Sequence, residues 1–254
     1  MTLITGQTTR EAVALDGVGK TFEGGPPILE DISLSVRSGE FVCLLGASGC
    51  GKSTLLNLIA GLDTPTAGTV ELDGGHAALM FQESALFPWL TAARNVELAL
   101  RLRGVPRAQR HTEARRLLSL VRLEHAQHKR PHELSGGMRQ RVALARALAQ
   151  GSEVLLMDEP FAALDAITRD VLHDELTRIW QETQLSVLFV THNVREAVRL
   201  AERVVLLSSR PGRVAREWQV DIPQPRRIED AAVADLSIEI TEQLRGEIRR
   251  HGQH

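Results

Sequence analysis

The residues GASGCGKST, Gly46 to Thr54, match the pattern G-x-x-x-x-G-K-[ST]. The apolar run FVCLL precedes them and TLLNLIAGL follows, which is the strand-then-helix setting in which the pattern acts. There Gly46, Ala47, Ser48, Gly49, Cys50 and Gly51 form a cradle whose backbone amides turn toward phosphate oxygens. Lys52 reaches the terminal phosphates, and Ser53, followed by Thr54, offers a hydroxyl to Mg2+. A second apolar run, VLLM, leads into the adjacent carboxylates Asp158 and Glu159. Ligands of open α/β sheets bind beyond the carboxyl ends of the strands. Asp158 is therefore expected to hold Mg2+, and Glu159 to orient or deprotonate an attacking water, the division of labour that phosphoryl transfer demands. ALMFQ ends in Gln82 and SVLFVTH in His192, both beyond strands of the same kind. One sheet edge would bring Gln82 to the metal or the water, and His192 to the charge developing on the phosphate.

LSGGMRQRVALARAL, Leu134 to Leu148, raises a separate question. Val142, Leu144, Ala145 and Leu148 recur at helical spacing and Ser135 can cap the first amides, so a helix opens directly from a glycine turn. A helix start of this kind is an anion site. The chain thus carries two such starts, far apart in sequence.

The elements that must position these residues follow from texture. EAVAL, ISLSV, FVCLL and GTVELDG read as short strands, and long helical patterns run from Thr91 through Arg122. After the glycine turn come a helix from Met138 to Ala149, strand VLLM, a helix from Ala166 to Glu182, strand SVLFV, a helix from Arg195 to Ala201 and strand VVLLS. Nearly all-apolar strands alternating with helices predict a parallel sheet buried on both faces, with the helical middle inserted into it. GVGK, Gly17 to Lys20, lacks the strand and helix frame of a phosphate loop and is expected to be a turn. The tail from Ile228 reads as a helix.

Composition narrows the class. The 254 residues carry 30 basic and 32 acidic side chains, a formal net charge of -2, which argues against a general nucleic-acid binder. The two cysteines, Cys43 in FVCLL and Cys50 in the glycine loop, do not suggest a disulfide framework, so a reducing compartment is expected. The N-terminus lacks the pattern of a signal peptide. No apolar run approaches the roughly 20 residues of a bilayer crossing, so any membrane role must come through a partner. His125, His128 and His132 straddle Pro131, which breaks any single helix, and are not expected to bind metal. Cys50, set among inward-facing amides, is expected to have a lowered pKa and to react when nucleotide is absent.

Taken in order, these motifs resemble the nucleotide-binding subunit of an ATP-binding cassette (ABC) transporter, from about Ala12 to Val214. Walker A at Gly46 to Thr54, a Q-loop at Gln82, the signature LSGGM at Leu134 to Met138, Walker B with Glu159, a D-loop ALD at Ala163 to Asp165 and a switch His192 appear in family order. The resemblance implies an α/β P-loop NTPase with a mostly parallel core sheet, an N-terminal antiparallel β part and an inserted helical subdomain. On that reading residues 11–227 are the cassette, about 83–150 its helical subdomain, and 228–254 a helical tail. It also implies ATP and Mg2+ as cofactors, with the D-loop Asp165 among the nucleotide-binding residues, and a head-to-tail pair of subunits in which Ser135, Gly136 and Gly137 of one close on the ATP held by the other. Phe22 stands where the family's A-loop aromatic stacks on adenine; tyrosine is common there, and this chain has none.

The family further implies a permease partner seated at Gln82 to Leu90, where Phe87, Pro88, Trp89 and Leu90 form an apolar turn whose alternative role is core packing. LFPWLT and LSSRPGRV, Leu207 to Val214, are similar to importers of nitrate, sulfonates and taurine, which work with an extracytoplasmic solute-binding protein. The implied place is cytoplasmic, peripheral on the inner face of the cell membrane. The alternative is a soluble ABC ATPase of DNA repair or translation, for which a long coiled-coil insertion, tandem cassettes or a strongly basic surface is expected; the sequence shows none.

Overall fold

The computed structural model describes residues 10–251. The apolar runs become a six-stranded sheet. Its members are β3 (Phe41–Leu45), β5 (Ala77–Met80), β6 (Val154–Asp158), β7 (Ser186–Val190), β8 (Arg203–Leu207) and β9 (Val214–Gln219), in the order β5-β6-β7-β3-β8-β9. All neighbours run parallel except β9, which is antiparallel to β8. Strand side chains alternate between faces. Val42, Leu44, Leu156 and Leu188 therefore pack on one side with α1 (Lys52–Ile59) and with an antiparallel three-stranded sheet. Phe41, Cys43, Met157 and Phe189 pack on the other side with the remaining helices. Both faces need apolar residues, so the runs show no polar alternation.

The antiparallel sheet has the order β2-β1-β4, formed by β1 (Glu11–Thr21), β2 (Pro27–Arg37) and β4 (Ala67–Leu72). GVGK is not a turn. It continues β1 through shifts of register against both neighbours, and a bulge lets a strand pass a glycine without reversing. β9 had no signal in the sequence, because an edge strand that alternates Arg216, Glu217 and a buried Trp218 has no apolar run.

Helices α2 (Ala92–Leu102) and α3 (Arg107–Leu120) pack on each other and on α4 (Gly136–Leu148). The others are α5 (Ala166–Thr183), α6 (Val194–Leu200) and α7 (Ala231–His251). α7 follows the expectation of a helical tail and docks on α6, burying Val233 and Ile240. Among the described residues no helix is long and apolar enough to cross a membrane.

The amino ends of β3 and β8 are tied by one buried carboxylate. Glu40 accepts from Arg203 Nε at 2.9 Å and Nη2 at 3.1 Å, and from the Arg37 N–H at 2.9 Å. Burial pushes its pKa up, but the Arg203 and Arg37 hydrogen bonds outweigh this and hold it below the ordinary value. Its stabilisation is therefore complete above the ordinary carboxylate pKa and is lost as pH falls through the depressed one. Removing one partner of a buried pair costs about 3 kcal/mol. Glu40→Ala should lower unfolding stability by about that amount at neutral pH, and lose less of what remains on acidification, as denaturant titrations at neutral and acidic pH would show.

Candidate functional site

The phosphate loop joins β3 to α1. Gly49 and Gly51 take φ of 78° and 100°, a left-handed region open to glycine, and no side chain caps the start of α1. Its first amides are thus left for an anion. Lys52 is 6% exposed and its Nζ donates to the Gly46 and Ala47 carbonyls at 2.8 and 2.9 Å. The ammonium stands inside the mouth of the loop, held by groups that a phosphate can outcompete.

Beyond β6, burial pushes the Asp158 carboxyl up, against a hydrogen bond from the Ser53 hydroxyl. Ser53 and Asp158 form an adjacent pair of hard oxygen ligands. They suit Mg2+, which is held by one or two protein oxygens together with substrate phosphates. Among the described residues no group of three or more His, Cys, Asp or Glu side chains could hold a metal, and His125, His128 and His132 form no such group.

Glu159 sits at φ 45°, its N–H donating to the Val190 carbonyl at 3.0 Å. A non-glycine residue in that region costs on the order of 1 kcal/mol, and such strain collects at working sites. His192, beyond β7, places Nδ1 2.9 Å from Glu159 Oε2. The two strand ends thus form a carboxylate-imidazole pair. Its footing is polar and buried: the Thr191 hydroxyl donates to Glu196, whose other oxygen lies 2.6 Å from His173 Nε2 on α5. The same hydroxyl accepts from the Asn193 N–H at 3.0 Å. Neither Glu196 nor His173 had been singled out, because each lies within a helical pattern with nothing in sequence to mark the contact.

Gln82 lies just past β5 and is exposed. Its backbone carbonyl accepts from Gln140 Nε2 at 2.8 Å, and Arg146 donates to the Ser84 and Ala85 carbonyls at 2.9 and 2.6 Å. Gln140 and Arg146 both belong to α4, so the loop after β5 is tied to the helix that Ser135 caps. Ser135 caps α4 as expected, accepting from the Met138 N–H at 3.3 Å. Asp165 caps α5, and the Thr168 N–H holds its carboxylate below the usual range.

A cleft of about 270 Å3 is lined by Phe22, Ile28, residues of the phosphate loop and Glu159. Phe22 is 51% exposed, so it is not a core side chain; Lys20 Nζ lies 5.0 Å from its ring centroid. Asp158 and His192 adjoin this cleft through Ser53 and Glu159 without lining it, and Gln82, Ser135, Gly136, Gly137 and Asp165 do not line it either. A larger groove, about 850 Å3, is lined by Leu62, Phe81, Phe87, Leu102 and Arg146 among others. Next to it Trp89 is 68% exposed with its ring centroid 5.5 Å from that of Phe87. Core packing does not explain these side chains. The buried Asn95 instead holds the turn from below, accepting from the Phe87 N–H and donating to the Leu90 and Thr91 carbonyls.

Cys50 departs from expectation. The thiol is 1% exposed and burial pushes its pKa up, outweighing the opposite pull of the Lys52 charge. Its side chain packs into the core beneath the loop, with the sulfur 3.9 Å from Lys52 Nζ. At neutral pH a disulfide reagent should modify Cys50 at least about ten-fold more slowly than free cysteine, with or without ATP; faster reaction would contradict the buried thiol.

A phosphate loop and two strand-end carboxylates on one edge of a mostly parallel sheet define a P-loop NTPase. The chain belongs to the ABC transporter family, which residues 29–162 match. It is 50% identical over 213 residues to the nitrate import ATP-binding protein NrtD of Synechocystis sp., covering 81% of this chain and 79% of that one. It is 48% identical to the taurine import ATP-binding protein TauB of Mesorhizobium japonicum, over 82% of this chain and 84% of the relative. The dimeric structure of a bacterial ABC transporter cassette superposes with a TM-score of 0.72 at 35% identity, covering 83% of this chain and all of that one. A dimeric cassette in a post-hydrolysis state bound to ADP and Pi superposes at 0.70 and 34%.

Proposed function

We propose that this chain is the ATP-hydrolysing subunit of an ABC importer for a small solute such as nitrate, a sulfonate or taurine. The observation that carries the reading is the separation of the two anion sites. No residue of 134–138 lines the cleft formed by Phe22, the phosphate loop and Glu159. A second copy, facing head to tail, supplies Ser135, Gly136 and Gly137 to that cleft, with Asp165 at the same seam. The dimeric cassettes it resembles support this arrangement.

In the closed pair Phe22 stacks on the adenine through its exposed face. Lys52 exchanges the Gly46 and Ala47 carbonyls for the terminal phosphates. Ser53 and Asp158 hold Mg2+, which neutralises phosphate charge when bound, with Gln82 completing the contact. Glu159 takes the proton of the attacking water. His192, fixed against Glu159 at 2.9 Å, donates to the charge that builds on the phosphate.

Residues from about 83 to 150 form the helical subdomain of a cassette spanning 11–227, and the tail that follows carries α7, Ala231–His251. Because α4 carries both the signature and the ties to the Gln82 loop, closing on ATP tilts the 850 Å3 groove. A helix of the membrane-embedded permease seats there, against Phe81, Phe87 and Trp89. The names of the relatives support an importer. Such a subunit is peripheral on the cytoplasmic face of the membrane and works with an extracytoplasmic solute-binding protein.

Lys52→Ala should weaken ATP binding and abolish turnover. Glu159→Gln should bind ATP but hydrolyse it about 100-fold or more slowly in a single-turnover assay, and a rate near that of the parent would remove Glu159 from the mechanism. The deciding experiment is sedimentation of the Glu159→Gln protein. ATP-dependent dimers that Ser135→Arg abolishes, while ATP binding by the monomer is kept, support the trans site. Dimers that persist in Ser135→Arg would overturn it.

A further inference from the structure

The loop between β8 and β9, residues 208–213, has no part in the hydrolytic scheme, yet it lies on the outer side of the phosphate loop. It is pinned to β2 through backbone: the Gly212 N–H donates to the Ile28 carbonyl at 2.8 Å, and the Glu30 N–H donates to the Gly212 carbonyl at 3.0 Å. Ser208 closes it from within, its hydroxyl donating to the Pro211 carbonyl at 2.9 Å and accepting from the Arg213 N–H at 3.0 Å. Arg213 adds an exposed ion pair with Glu30 at 2.8 Å.

From this fixed base two groups reach the phosphate loop. Arg210 Nε donates to the Gly49 carbonyl at 3.2 Å. Gly212 is buried so tightly against the Cys50 carbonyl that a Cβ there would overlap it. The Gly49–Cys50 peptide is consequently held at both poles, its oxygen by Arg210 and its N–H by the Ala47 carbonyl at 3.3 Å. A loop that binds anions through inward amides must keep away from the ligand those carbonyls that no cation covers; Lys52 covers the Gly46 and Ala47 carbonyls but not that of Gly49. With glycine at position 49, rotation of this peptide meets little steric resistance, and a rotated carbonyl would face the phosphates and repel them.

We infer that Arg210, carried on the Gly212 turn, is a positioning residue that presets the phosphate loop for nucleotide by holding the Gly49 carbonyl outward. The inference rests on the reading of Gly46 to Thr54 as the ATP site. Arg210 acts through the loop and touches no reacting atom, so its effect belongs in affinity and not in the chemical step.

The test compares Mg-ATP affinity by calorimetry, and KM with kcat, for the full-length parent chain, Arg210→Ala, Arg210→Lys and Arg213→Ala. Losing one hydrogen bond of this kind should raise Kd and KM about five-fold in Arg210→Ala, with kcat and the nucleotide-free melting temperature unchanged. Arg210→Lys, which keeps a donor, should recover part of the affinity, and Arg213→Ala, in the same loop but off the phosphate loop, should bind as the parent does. The ratio should persist in about 1 M salt, where the Debye length is about 3 Å, because the contact is local. Parent-like affinity in Arg210→Ala, an equal loss in Arg213→Ala, or a ratio that collapses in salt would each overturn the clamp. A parent chain that fails to bind Mg-ATP would instead overturn the ATP site itself.

Discussion

The start of α1 carries no side-chain cap, and much of the molecule is arranged around that fact. Uncapped amides at a helix start need an acceptor. Gly51 at the cap position, left-handed and without a side chain, leaves them to whatever enters the cleft. The loop in front of them is supported from several sides: Lys52 is bonded to its carbonyls from within, and the 208–213 loop presses on it from without. The apolar Cys50 side chain fills the space beneath. A cradle that must receive a highly charged ligand is thus built on a well-packed foundation.

The parallel sheet gives that cradle its neighbours. Since β3, β6 and β7 are adjacent and parallel, their carboxyl ends bring the phosphate loop, Asp158, Glu159 and His192 to one edge although they are distant in sequence. Register does the fine placement. Asp158 pairs with Val190, so Glu159 and His192 leave the sheet at nearly the same level and meet. Beneath them the buried Thr191, Glu196 and His173 tie the end of β7 to α5, the helix that starts at Asp165. The two loops that a partner subunit would approach therefore share one polar footing.

A different economy operates in the helical part. α4 is capped by Ser135 at one end and grips the loop after β5 with Gln140 and Arg146 along its length. One helix thereby connects the Ser135 cap with the groove beside Gln82. Phe81, Phe87 and Trp89 stay exposed beside it, and buried Asn95 holds the turn that carries Phe87 without drawing it into the core.

The candidate site was legible in the sequence because its motifs depend on residue type at fixed short spacing: a glycine loop ahead of Lys52, two carboxylates after an apolar run, Ser135 before a helical period. The parallel strands were legible too, since burial on both faces leaves them nearly all apolar. Other features had no local signature. The bulge that carries β1 through GVGK looks like a turn until β2 and β4 pair with it, and β9 looks like loop until β8 offers its edge. The Cys50 thiol shares its sequence neighbours with a reactive cysteine, but packing turned it inward, where desolvation suppresses the thiolate. By itself, then, the sequence determined which groups are the candidates for binding phosphate and activating water, because such abilities reside in side chains and short backbone turns. Only the tertiary structure decided which of them meet in one cleft, that Ser135 is not among them, and that Arg210 holds the loop from behind, because contacts between segments remote in the chain arise from packing and leave no periodic trace.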